Sequence, residues 1–143
     1  MMNIPLLDLK TPSGAPAPWK DLWQKRNVLL LIGDEECAPC RKVLDAWAGL
    51  GDELRSEHAA ALAIFPRDPG GVADGIVLLE DPDGRMAEAL GARPGTIVAA
   101  DRYFEIQQCE SLHDRDVDEV VRDTLEWIDL AERTCDECGV STW

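Results

Sequence analysis

Positive charge is scarce in this chain. Its 14 lysines and arginines face 28 aspartates and glutamates, for a net charge of −14. No stripe of clustered Lys and Arg of the kind that tracks a phosphate backbone is present, which excludes nucleic acid as a partner. An anionic membrane surface would repel the chain. Long apolar runs are also missing. The longest, at residues 28–32 and 76–79, are strand-sized and too short to span a membrane. The opening residues Met-Met-Asn-Ile-Pro-Leu-Leu-Asp have neither the basic nor the apolar region of an export signal, so the expected location is the cytoplasm. Histidine occurs only at positions 58 and 113, both in charged segments that read as solvated surface. No repeat and no Gly/Ser-rich linker divides the chain.

The 143 residues fit one domain able to bury a core without disulfide staples. Negative charge concentrates late: residues 101–143 hold 13 acidic and 4 basic side chains. This reads as a solvated acidic helix, with a docking face for a basic partner as the functional alternative. Five cysteines stand at 37, 40, 109, 135 and 138. Four form two Cys-x-x-Cys pairs, a spacing that points to redox or metal chemistry rather than to a structural disulfide framework.

Residues 4–9 are short and apolar between prolines, as in an edge strand, and Thr11-Pro12-Ser13-Gly14 is a turn signal. Residues 21–25 suit a helical turn. Residues 28–32 form a continuous apolar run, expected as a strand buried on both faces. Val43, Leu44, Trp47, Leu50 and Leu54 then recur at helical spacing. Residues 60–65 and 76–79 read as strands separated by a Pro/Gly/Asp-rich connection. Asp81-Pro82-Asp83-Gly84 is a turn before a short helix over 85–90. Residues 96–100 and 103–108 form a hairpin, and residues 114–133 a long helix. Strands alternating with helices, closed by a hairpin and a last helix, predict an α/β fold with a mixed central sheet flanked by helices. Trp19, Trp23, Trp47 and Trp127 are expected in packing roles, and Cys109, in a strand, as a small buried hydrophobe.

Cys37-Ala38-Pro39-Cys40 lies where a central strand hands over to a helix. A cysteine at a helix N-terminus faces free N–H groups and the positive end of the dipole, which lowers its thiol pKa. Cys40 lies one turn on and can resolve a mixed disulfide. Pro39 suits the first turn, where a missing N–H is harmless. Arg41 and Lys42 add positive charge, while Asp34-Glu35-Glu36 opposes the dipole.

This pattern resembles the thioredoxin superfamily, closest to its redoxin branch of TlpA-like thiol–disulfide oxidoreductases and alkyl hydroperoxide reductase/thiol-specific antioxidant proteins. The resemblance runs from about Ile4 to about Ile128. It rests on Pro5-Leu6-Leu7-Asp8-Leu9, on the strand before the Cys37/Cys40 pair, on Asp81-Pro82-Asp83-Gly84 with Ala87 to Gly91, and on Arg93-Pro94-Gly95-Thr96-Ile97-Val98-Ala99-Ala100-Asp101. It implies a thioredoxin-like fold with an N-terminal strand or hairpin extension, a domain over residues 1–133, and a cysteine-bearing tail over 134–143. It also implies thiol–disulfide exchange with Cys37 attacking and Cys40 resolving. The partner would be a disulfide-containing or dithiol protein, with an external reductase as a further partner, and no cofactor is needed. Pro94 would be a cis-proline facing the pair and offering backbone for strand-like pairing with substrate. The chain departs from the family in three places. Glu36 stands where tryptophan is frequent, the wholly apolar strand lacks a buried acid, and residues 66–75 are too short and breaker-rich for a crossover helix.

Two alternatives stay open. A thiol peroxidase of the peroxiredoxin type carries P-x-x-x-[ST]-x-x-C. Counting back from Cys37 gives Asp34 and Leu30, and from Cys40 gives Cys37 and Gly33, so neither cysteine sits in that motif, although Arg93 could serve such a pocket. A non-enzymatic module could instead hold zinc through Cys37, Cys40, Cys135 and Cys138, since two such pairs supply four thiolates. Cys135 and Cys138 could also form a second redox pair or relay, within the chain or between copies, so a monomer and a homodimer are both compatible with the sequence.

Overall fold

The computed structural model describes residues 2–141, with side chains described through Arg133. In chain order the elements are α1 (Trp19–Leu22), β1 (Asn27–Ile32), α2 (Ala38–Ala48), α3 (Gly51–Ser56), β2 (Ala59–Phe65), β3 (Ile76–Glu80), α4 (Arg85–Leu90), β4 (Thr96–Ala100), β5 (Ile106–Ser111) and α5 (Val117–Ser141). The strands form one sheet of order β3-β2-β1-β4-β5. β1 pairs parallel with β2 and antiparallel with β4; β2–β3 is parallel and β4–β5 antiparallel.

β1 is the centre, and all six of its residues are buried. Its period-2 alternation serves two cores at once. Leu29 and Leu31 join Val43, Leu44, Trp47, Val120 and Ile128 beneath α2 and α5. Val28, Leu30 and Ile32 join Ile4, Leu9, Trp19, Leu22, Met86 and Phe104 on the other face. The sheet is thus covered on both sides, as a central apolar strand requires.

Three expectations change in detail. Residues 4–9 form no regular strand. The segment is held by Ile4 N–H donating to the Phe104 carbonyl and by isolated bridges from Asn3 to Glu105 and from Lys10 to Pro16 and Glu80. The apolar face expected over residues 43–54 is split at Gly49 into α2 and α3, Gly49 capping the first helix. Residues 66–75 contain no helix, as their length and breakers predict, and α4, after β3, makes the crossover back to β4. The last helix, expected to stop at Arg133, continues to Ser141.

Candidate active site

β1 delivers the chain through Gly33 and a short acidic loop to Cys37, the N-cap of α2. Its backbone is extended, and its Sγ accepts a hydrogen bond of 3.2 Å from the Cys40 N–H. A cysteine sulfur therefore takes the capping role usually filled by a Ser or Asp oxygen. Pro39 occupies the first turn. Cys37 and Cys40 are joined as a disulfide with Cα atoms 5.3 Å apart. Cys37 keeps 8% of its surface exposed and Cys40 none. This asymmetry makes Cys37 the sulfur a partner can reach and Cys40 the enclosed one.

Close packing holds the pair. A Cβ on Gly33 would lie 2.6 Å from Phe65 Cζ and 3.1 Å from Cys40 Sγ, so only glycine lets the Phe65 ring approach the disulfide. A cleft of about 100 Å³ opens beside Cys37, with Asp34, Glu35, Arg41, Phe65 and Pro69 in its walls. Arg41 donates to the carbonyls of Pro69 (3.2 Å) and Gly70 (2.7 Å), tying the helix-free connection to α2. Glu35 pairs with Arg67 at 2.5 Å. Of the charges around the cleft, Glu35 is thus paired with a cation, while Arg41 is anchored by neutral carbonyls.

Pro94 lies beside Ile32 and Gly33, at the strand end that leads to Cys37, without the cis bond expected. The Ile32 carbonyl lies 3.9 Å from Cys40 Sγ and accepts the Gly95 N–H at 2.7 Å, so the 93–95 loop abuts the disulfide. No peptide bond among the described residues is cis. The chain turns into β4 through Gly95 at φ +94°, a left-handed conformation that glycine adopts without strain. The loop also does not offer the acceptors of an open strand. The Arg93 carbonyl accepts from Thr96 Oγ1 at 2.7 Å, and the Pro94 carbonyl lies 2.9 Å from His113 Nε2. Gly95 makes room for that imidazole, since a Cβ there would overlap it. His113 is thus exposed but not merely solvated.

Cys109 is exposed in β5 rather than buried. Partial burial and the neighbouring Glu110 charge push its thiol pKa up, making it a poor thiolate. The side chains of Cys135 and Cys138 lie outside the described residues, so neither the relay nor the four-thiolate zinc set is seen. No group of three or more ligand side chains suited to a metal occurs among the described residues. At Glu132 the chain lies at the far end of the sheet. Glu132 accepts from Asn27, the first residue of β1, at 2.8 Å, whereas Cys37 follows the last. Glu132 also binds Arg102 at 2.7 Å and His58 at 2.8 Å. His58, expected to be solvated, is exposed yet paired.

The sequence reading missed Gly33, Phe65, Thr96 and His113. The available signals were a glycine directly after a buried strand and a second glycine directly before one. Both mark close backbone approach.

No protein-family profile and no curated sequence matches the chain. Solved structures do resemble it. Peroxiredoxin Q of Xanthomonas campestris superposes with a TM-score of 0.74 at 12% identity, over 92% of this chain and 98% of that one. Peroxidoxin BcpB of Mycobacterium tuberculosis gives 0.71 at 18% identity, over 85% and 90%. The exposed lipoprotein thioredoxin Etrx1 of Streptococcus pneumoniae gives 0.64 at 16%, over 84% and 98%. The chain therefore has the thioredoxin-like α/β fold common to these proteins. No helix among the described residues is long and apolar enough to cross a membrane.

Proposed function

We propose that the chain is a thiol–disulfide oxidoreductase working through Cys37 and Cys40. The observation that carries this reading is the disulfide at the α2 N-terminus, with Cys37 lining a cleft and Cys40 fully enclosed. In the reduced form, the Cys37 thiolate attacks one sulfur of a partner disulfide. That S–S bond breaks, and the partner's second sulfur leaves as a thiolate. Cys40 loses its proton to solvent and attacks Cys37 Sγ. The mixed disulfide breaks, the partner's first sulfur departs, and the intramolecular disulfide remains. The Cys40 N–H and the helix N-terminus stabilise negative charge on Cys37 Sγ as it forms or leaves. No cofactor is required.

In this reading residues 1–133 form the redox domain, residues 134–143 carry Cys135 and Cys138 as a second redox pair, and Pro94 shapes the substrate side of the site. Dithiol or disulfide proteins are the partners, with an external reductase closing the cycle. The location is the cytoplasm, to be checked by fractionation with thiol trapping in each fraction. Cys37→Ser should abolish reduction of a small disulfide, and Cys40→Ser should accumulate the mixed disulfide, seen by mass spectrometry. Full exchange in Cys37→Ser overturns the reading. Likeness to peroxiredoxin structures supports a second reading, hydroperoxide reduction. Asp34 at the hydroxyl position and the buried Leu30 at the proline position oppose it. Peroxide consumption by the reduced protein, assayed beside disulfide exchange, separates the two. Stoichiometric zinc in the untreated protein would favour the non-enzymatic module instead.

A further inference from the structure

The pole opposite the disulfide carries a second feature. Met2, Leu6, Trp23 and Tyr103 keep 51%, 59%, 42% and 49% of their surface exposed, and they converge on one face. Trp23 meets Tyr103 and Phe104 edge-on at 5.8 and 5.3 Å, and Trp19 meets Phe104 at 5.9 Å. Leu6, Trp19, Lys20, Trp23 and Phe104 line a cleft of about 350 Å³. Met2 joins the patch through its carbonyl, which accepts the Ile106 N–H. The backbone beneath is held in an unusual way. Gln24 and Phe104 both have positive φ, at 66° and 63°, and Gln24 N–H donates to the Arg102 carbonyl. Non-glycine residues persist in that region only where their surroundings fix them.

We propose that this face is the contact between two copies of the chain, packed about a two-fold axis. Charge is what selects the occupant. The segments that build the face, residues 19–26 and 101–105, hold four basic and three acidic side chains, whereas the chain as a whole is strongly acidic. On this near-neutral face two copies meet without net like-charge repulsion, and beyond about 8 Å the remaining charges are screened at physiological salt. The rim carries both signs, with Lys20 and Lys25 on the α1 side and Asp101 and Glu105 on the hairpin side. A two-fold axis through the aromatic centre sets the lysines of one copy against the carboxylates of the other, the self-complementarity that an isologous contact needs. The four side chains expose on the order of 400 Å² of apolar surface. That is about half of the ~800 Å² per partner in a stable interface, the rim supplying the remainder. Because β1 separates this face from Cys37 by about 20 Å, both disulfides stay open in the dimer.

Sedimentation equilibrium of the full chain tests the assignment. The expected result is a dimer with a dissociation constant on the order of 10 μM. Tyr103→Ser and Leu6→Ser, both at exposed positions, should each weaken it about tenfold or more with unchanged circular dichroism. Lys20→Glu should weaken it likewise, and Lys20→Glu combined with Glu105→Lys should restore it. A wild-type monomer at about 100 μM, well above that constant, overturns the proposal, as does a dimer indifferent to all of these substitutions. A monomer that sediments with phosphatidylcholine/phosphatidylglycerol vesicles through Tyr103 and Leu6 also overturns it and gives the face to lipid.

Discussion

Gly33 leaves little room for change beside the Cys37–Cys40 disulfide. Phe65 is itself buried against the disulfide and cannot swing away. Gly33→Ala should therefore destabilise the protein by about 1–3 kcal/mol, read from urea midpoints, and Phe65→Leu in the same chain should recover part of the loss. Glu132 shows a different sensitivity. Burial pushes its carboxyl pKa up, but hydrogen bonds from Arg102 and Asn27, the Arg102 charge and the His58 contact outweigh burial and hold it below the ordinary carboxylate value. A pKa lowered by folding contributes stability that is complete above the ordinary value and lost as pH falls through the folded one. Glu132→Gln should thus be weaker than wild type at neutral pH by about 1–3 kcal/mol, and the two urea midpoints should converge in acid. The Cys37/Cys40 pair at a helix start was legible because it depends on local spacing, whereas the expectation for Pro94 came from the family resemblance alone. Gly33 against Phe65, and His113 against Pro94, were not legible, because each contact joins segments that sequence proximity does not link.

Among the elements, β1 was readable from its apolar run alone, and α2 from its cysteine, proline and apolar period. The crossover helix α4 depends on a residue that looked like part of a turn. Buried Asp81 accepts the N–H of Arg85 at 3.0 Å and of Met86 at 2.9 Å, one on each carboxylate oxygen. Asp81→Ala leaves both donors without that partner and should cost about 1 kcal/mol, with faster hydrogen exchange at Arg85 and Met86. Arg41 plays the matching role for residues 66–75, which have no helix of their own. Arg41→Met should speed amide exchange across that connection while leaving the sheet protected. The N-terminal strand and the end of α5 were misread for physical reasons. Residues 4–9 satisfy their backbone through a few scattered partners rather than a ladder, and no glycine or proline stops the last helix at Arg133.

For the molecule as a whole, β1 sets two poles. The disulfide stands at its C-terminal end; the aromatic face and the Glu132 cluster stand at its N-terminal end. Glu132 stands at that second pole, three residues before Cys135 and six before Cys138 in the sequence. Replacing both by serine should leave the Cys37–Cys40 equilibrium with glutathione unchanged, measured by alkylation and mass spectrometry. A shifted midpoint would place the second pair in the same circuit. The central strand, the helix-borne cysteines and the mixed sheet could be foreseen because hydrophobic period and spacing encode them locally. The two-pole arrangement could not, because it arises only when distant segments pack.

The loop beside the disulfide carries a last consequence. The Arg93 and Pro94 carbonyls and the Gly95 N–H are already engaged by Thr96, His113 and Ile32. An arriving polypeptide meets carbonyls already in use there, which weakens its hold as an added strand, the usual source of sequence-independent grip. What distinguishes one client from another is then the reactivity and accessibility of its own sulfurs. Such a centre would behave as a chemical generalist, ranking clients by how easily their disulfides open rather than by the residues that surround them.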